Sequence, residues 1–127
     1  MWTQFSMVAL GGAAGAMGRF GITQAVTAWT GWPSYAATMI SNVLGCCAIG
    51  VMHVVLESST MSPSIRALLV VGLVGAVTTF STFSHETMVL LDRSKWGEAS
   101  LYVLGSIILG LIAVKVGMIA GRGLVIT

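Results

Sequence analysis

Ala67-Leu68-Leu69-Val70-Val71-Gly72-Leu73-Val74-Gly75-Ala76-Val77-Thr78-Thr79-Phe80-Ser81-Thr82-Phe83-Ser84-His85-Glu86-Thr87-Met88-Val89-Leu90-Leu91 is the stretch on which the reading of this chain turns. It is long enough to span a bilayer as one helix, which takes roughly 20 residues. At its centre four hydroxyls fall within the six residues Thr78 to Phe83, and Glu86 follows about a turn later. Such groups are costly in hydrocarbon unless they face protein, water or an ion. The segment therefore predicts a membrane helix with a polar site built into it.

The rest of the chain agrees with a membrane setting. Of its 127 residues 56% are apolar, against six Lys/Arg and four Asp/Glu. This is a membrane composition, with room for four spans and short loops but no extramembrane domain. The predicted fold is all-α: a single four-span domain over residues 1–127, with helices at about 4–28, 35–56, 63–91 and 96–120. The first ends at Trp29-Thr30-Gly31-Trp32-Pro33, a Gly/Pro turn with interfacial tryptophans. Ser62-Pro63-Ser64 reads as the start of the third, Ser62 as N-cap and Pro63 in the first helical position. Asp92-Arg93-Ser94-Lys95 makes the next turn, and Arg122 is expected just outside the fourth helix. The N-terminus lacks the positive region of a cleaved signal peptide, so its first apolar stretch is expected to stay in the mature protein.

The net charge of +2, with no basic cluster, argues against a nucleic-acid partner. Cys46 and Cys47 sit side by side in an apolar run as small hydrophobes. Arg66 and Arg122 lie on one side, Arg93 and Lys95 on the other, so the Lys/Arg bias that orients membrane proteins is close to a tie. A tie admits insertion both ways and antiparallel pairing. Gly11/Gly15 and Gly117/Gly121 have the spacing that lets helix backbones approach, either within one bundle or between subunits. Four spans enclose little interior, which favours a homo-oligomer.

Several polar residues lie deep. Asn42 shares a helix face with Thr38 and Gly45. It reads either as glue between helices or as a donor aimed at a permeating anion. Phe80 and Phe83 are neighbours on one face, beside a polar stripe of Thr79, Thr82 and Glu86. Ring edges are positive, so rings beside hydroxyls make a weakly electropositive surface without formal charge. Gly75 followed by two threonines marks a weak point in the helix. Spacing leaves two outcomes: a continuous helix with Thr bonding back to the i−4 carbonyl, or an unwound turn that exposes carbonyls, which are hard-cation ligands. Arg19 and Lys115 are expected to snorkel toward the headgroups. His53 and His85 have no third ligand at metal spacing. No nucleophile–base pair or phosphate loop supports an enzyme.

Gly11 to Phe20 (Gly-Gly-Ala-Ala-Gly-Ala-Met-Gly-Arg-Phe), Thr38 to Gly45 with Asn42, and Gly75 to Phe83 together resemble the fluoride channel family called Fluc or CrcB. The likeness covers nearly the whole chain, and Thr-Thr-Phe-Ser-Thr-Phe is its most specific part. Ala37-Thr38-Met39 stands where Gly-Thr-Leu is usual, and Phe20 where Tyr is common.

The resemblance implies an antiparallel, dual-topology homodimer with two fluoride pores and a third helix broken mid-membrane. It further implies one structural Na⁺ at the dimer centre, held by the backbone carbonyls of Gly75 and Thr78 from both subunits. Asn42, Phe80 and Phe83 would line the pore, with Ser81 and Thr82 supplying hydroxyls. Thr38, Thr79, Glu86, Tyr102, Ser106 and Arg19 are further candidates for the pore or its vestibule. The implied work is passive export of fluoride across the plasma membrane, in a bacterium the inner membrane. Two rival readings differ from this one. A small multidrug transporter would need an embedded acid in its first helix, and this one has none; a non-transporting assembly subunit would use the polar motif as glue.

Overall fold

The computed structural model describes residues 1–125. Four helical spans, all long and apolar enough to cross a bilayer, make up the chain. Helix α1 is Trp2–Thr30 and α2 is Ser34–Glu57. The third span, Pro63–Asp92, is built of α3 (Pro63–Arg66), a π-helical stretch Ala67–Val74, α4 (Gly75–Val77) and α5 (Phe80–Asp92). The last span is α6, Trp96–Val125.

Local chemistry sets the ends. Gly31 closes α1 at φ 67°, a left-handed conformation suited to glycine, and its N–H donates to the Thr27 carbonyl at 3.2 Å. Ser62 caps the third span, its Oγ accepting the Ile65 N–H at 3.4 Å with Pro63 in the first turn. The expected stop near Ala120 does not occur: α6 runs on to Val125 and includes Arg122. Gly121 fails to end it because it is packed. A Cβ there would meet the Val51 carbonyl and the Val54 Cβ, each at 3.0 Å. Packing of this kind overrides the weak helix propensity of glycine.

Two parallel pairs organise the bundle. A side chain on Gly11 would collide with the Leu68 carbonyl, and one on Gly15 with that of Leu73, so α1 lies directly against the π-helical stretch. The same holds for Gly50 against Val114 and Gly117 against Cys47, which seat α2 on α6. Both glycine pairs singled out by their spacing therefore pack inside the chain. Buried positions are mostly small, among them Gly11, Gly45, Ala37, Ser41 and Ala113, while Leu101, Leu104, Ile108 and Leu111 point outward. This small-inside arrangement is what membrane helices use when lipid is as apolar as leucine. One larger core, Leu90, Ala99 and Tyr102 with Tyr35, Met39 and Phe83 against it, fastens α5 to α6 and α2.

Candidate functional site

The third span leaves helical geometry at two residues. Thr78 takes φ −80°, ψ 149° and Thr79 φ −147°, ψ 120°. Thr78 combines the two outcomes its spacing left open. Its Oγ1 bonds back to the Val74 carbonyl at 3.3 Å, as in a continuous helix, yet its own backbone is extended. Gly45 makes room, since any side chain there would run into the Thr78 methyl group.

Interrupting a helix strands the carbonyls of Gly75 to Thr78 and the amides of Thr79 to Thr82, and each needs a new partner. Asn42 takes both sides of one residue: its Oδ1 accepts the Thr79 N–H at 2.8 Å and its Nδ2 donates to the Thr79 carbonyl at 3.2 Å. Thr79 in turn caps α5, its Oγ1 accepting the Thr82 N–H at 3.3 Å and donating to the Thr82 hydroxyl at 3.0 Å. The Ala76 carbonyl accepts Arg19 Nε at 3.2 Å, and the Gly75 carbonyl has only the Thr78 hydroxyl at 3.5 Å. The Thr78 carbonyl finds no backbone partner among the described residues, and the Phe80 and Ser81 amides stand in the first turn of α5, where a helix leaves its amides without an intrahelical acceptor. The break thus presents open carbonyls on one side and, at the positive end of α5, open donors on the other.

A groove of about 500 Å³ borders this break, its lining including Asn42, Cys46, Gly75, Thr78, Thr79, Phe80, Phe83 and Ser106. Its walls are largely apolar. The Ser106 Oγ is buried there without a hydrogen-bonding partner among the described residues. From the groove an aromatic file leads away: Phe80 to Phe83 with ring centres 5.8 Å apart, Phe83 to Tyr102 at 5.1 Å, Tyr102 to Tyr35 at 5.3 Å. The Tyr102 hydroxyl donates to Glu86 Oε2 at 2.8 Å. Beyond Thr82 and Glu86 a second, more polar cavity of about 380 Å³ opens, where His85, Arg93 and Lys95 also stand. Thr82 and Phe83, adjacent in sequence, thus face different cavities, one the polar and the other the apolar.

The structure gathers Asn42, Thr78, Thr79, Phe80, Phe83, Gly75 and Ser106 around one groove, and Thr82 and Glu86 around the next, with Tyr102 between. Ser81 sits at the break, its hydroxyl 3.3 Å from that of Thr79. Thr38 is buried and donates to the Ser34 carbonyl, apart from both cavities. Arg19, expected to snorkel, instead turns its Nε to the break, where the Ala76 carbonyl left without its helical donor accepts it. Cys46, read from sequence as a small hydrophobe, lines the groove one turn after Asn42. Only the i+4 relation to Asn42 could have signalled this.

These features define a multi-pass membrane protein whose third span is interrupted at a polar, aromatic-flanked motif. Residues 6–118 match the family described as CrcB-like protein, Camphor Resistance (CrcB). The chain belongs to this family. It is 39% identical, over 94% of its length and 98% of the relative's, to a fluoride-specific ion channel FluC of Magnetococcus marinus. A Chloroflexus aurantiacus protein of the same name is 43% identical over 91% of this chain and 92% of its own length. One from Shewanella baltica is 40% identical over 87% and 90%. The family consists of ion channels and is not enzymatic.

Proposed function

We propose that this chain is a fluoride-selective channel that lets F⁻ leave the cytoplasm passively. It works as an antiparallel homodimer in the plasma membrane, in bacteria the inner membrane, with Na⁺ at the dimer centre. The observation that carries this reading is the bracket of Asn42 on Thr79 at the interrupted span, beside a groove walled by Phe80 and Phe83. Fluoride is small and strongly hydrated, so a narrow path must replace its water with several donors. Asn42, the Ser81 and Thr82 hydroxyls and the open amides of α5 are neutral donors, and the rings offer positive edges. A formal charge in the path would hold the ion too tightly to let it go, whereas conduction needs intermediate binding at successive sites.

Two features support a second subunit. In the single chain Phe80 is 79% exposed although its neighbour Phe83 is packed. A Cβ on Gly75 would meet only the Val70 carbonyl, at an ordinary 3.5 Å, so nothing within the chain requires glycine there. A partner brought close at Gly75 and Phe80 accounts for both. The near tie in Lys/Arg across the two sides favours an antiparallel mate. The donor set suits Na⁺: the Thr78 carbonyl lacks a partner among the described residues and that of Gly75 is weakly engaged, and hard cations take carbonyl oxygens. The ion would offset repulsion among converging carbonyls and between the pathway and its surroundings.

The test is efflux from proteoliposomes, fluoride read by electrode against chloride in parallel. Rapid fluoride efflux with little chloride movement is the expected result; equal rates, or none from folded protein, would remove the reading. A multidrug-type exchanger is disfavoured because α1 carries no Asp or Glu. An assembly subunit is tested by the same measurement.

A further inference from the structure

We infer that Arg19 is a positioning residue, acting on the pathway through the backbone of the interrupted span and not on the ion itself. This rests on the reading of the groove as an anion path. Arg19 is the single ionisable side chain of α1, and its Nε–H donates to the Ala76 carbonyl at 3.2 Å, a contact spanning 57 residues of sequence. Gly15, one turn earlier, lets this happen: a Cβ there would strike the Leu73 carbonyl and press within 3.0 Å of the Ala76 methyl. Arg19 lines neither the groove nor the second cavity.

The carbonyl that Arg19 meets is the one left without its helical donor by the break, since the amide of Phe80 begins the next helix. The guanidinium therefore replaces a lost hydrogen bond and sets a positive charge against the negative end of the preceding helix. Uncovered, that end would repel an anion and the stranded carbonyl would be free to seek another donor. The break is held from two sides: α2 grips Thr79 through Asn42, and α1 grips Ala76 through Arg19. Lysine would supply the charge but not a planar, pre-aimed donor.

The experiment compares wild type with R19K, R19M and R19A, full length and in vesicles. Fluoride efflux is expected to fall about tenfold or more in R19M and R19A, with R19K between them and wild type. Ethylguanidinium in the medium should restore R19A several-fold, while ethylammonium at equal concentration should not. Hydrogen exchange at the Thr78 and Thr79 amides should quicken about tenfold in R19M with α6 unchanged. That readout does not depend on which ion moves, so a wild type that fails to conduct fluoride removes the functional reading, while exchange still decides whether Arg19 holds the break. Wild-type exchange and flux in R19M would overturn the inference, as would equal rescue by ethylammonium, which would reduce Arg19 to a bare charge. If R19M does not assemble, R19K carries the exchange test: faster exchange than wild type supports the inference and equal exchange overturns it.

Discussion

Asn42 and Thr79 satisfy each other twice, the side-chain amide accepting the backbone N–H at 2.8 Å and donating to the backbone carbonyl of the same residue at 3.2 Å. Only a primary amide of this length can do both, because it carries an acceptor and a donor at its tip. An interruption that would otherwise fray is tied to the neighbouring helix, so Asn42, which the sequence offers as either glue or an anion donor, is a structural clasp.

Asn42→Leu keeps the volume and removes both bonds, leaving the Thr79 N–H stranded. It is expected to destabilise the protein by about 1–3 kcal/mol and to lower fluoride flux at least about tenfold. Asn42→Asp retains the acceptor for the N–H but sets a carboxylate against the Thr79 carbonyl and the proposed anion path, so flux should fall as far with a smaller loss of stability. Thermal unfolding in detergent, run beside efflux, separates the two. A fully active Asn42→Leu would return Asn42 to ordinary packing.

Phe80 and Phe83 should respond differently to the same change. Phe83 packs against Tyr102 at 5.1 Å and joins the Leu90 core, whereas Phe80 is exposed in the single chain. Phe83→Ile is predicted to lower both stability and flux, and Phe80→Ile to lower flux while the chain unfolds within about 0.5 kcal/mol of wild type. The reasoning is that isoleucine roughly keeps bulk but has no positive ring edge. Unchanged flux in both would show that the rings act only by filling space.

Backbone contact between α2 and α6 makes Gly117 intolerant of any side chain. Gly117→Ala should destabilise by about 1–3 kcal/mol. Gly97→Ala, at a position with nothing within 4 Å, should be neutral or slightly stabilising. Equal melting temperatures for the two variants would contradict the close approach.

The centre of the proposed dimer can be probed through Gly75 and Na⁺. Thr78→Ser keeps the carbonyls and is expected to conduct at least half as well as wild type. Gly75→Val leaves the chain's own contacts nearly untouched, so the monomer should fold while dimerisation and flux drop about tenfold. Purification with N-methylglucamine in place of Na⁺ should lower flux or loosen the dimer. Cross-linking yield and efflux measured on the same samples decide it, and indifference to both changes would dismiss the central cation.

The balance of Arg66 and Arg122 against Arg93 and Lys95 predicts insertion in both directions. Single cysteines at either terminus, in a background lacking Cys46 and Cys47, should label from both sides in comparable amounts. Two lysines added beside Ser94 should force one orientation and abolish flux, with recovery on co-expression of a chain biased the opposite way. One-sided labelling of the unbiased chain counts against antiparallel pairing.

Four spans, the Gly31 turn, the Ser62-Pro63 start and the polar motif at Thr78–Phe83 were all legible in the sequence, because apolar run length and capping chemistry are local. The weak point at Gly75-Thr78-Thr79 was visible too, but its outcome was not: the energies of a back-bonded helix and of an extended turn differ by little without partners. Tertiary structure settled that balance by bringing Asn42 from 37 residues away to Thr79 and Arg19 from 57 residues away to Ala76. The same dependence on distant partners explains why Arg19 turns inward instead of snorkelling, and why α6 runs through Gly121 to Val125. The π-helical stretch facing Gly11 and Gly15 is likewise announced by no periodicity in Ala67–Val74. Where a stranded carbonyl or amide finds its partner depends on how closely two helices approach, and that distance is set by glycines on both of them at once.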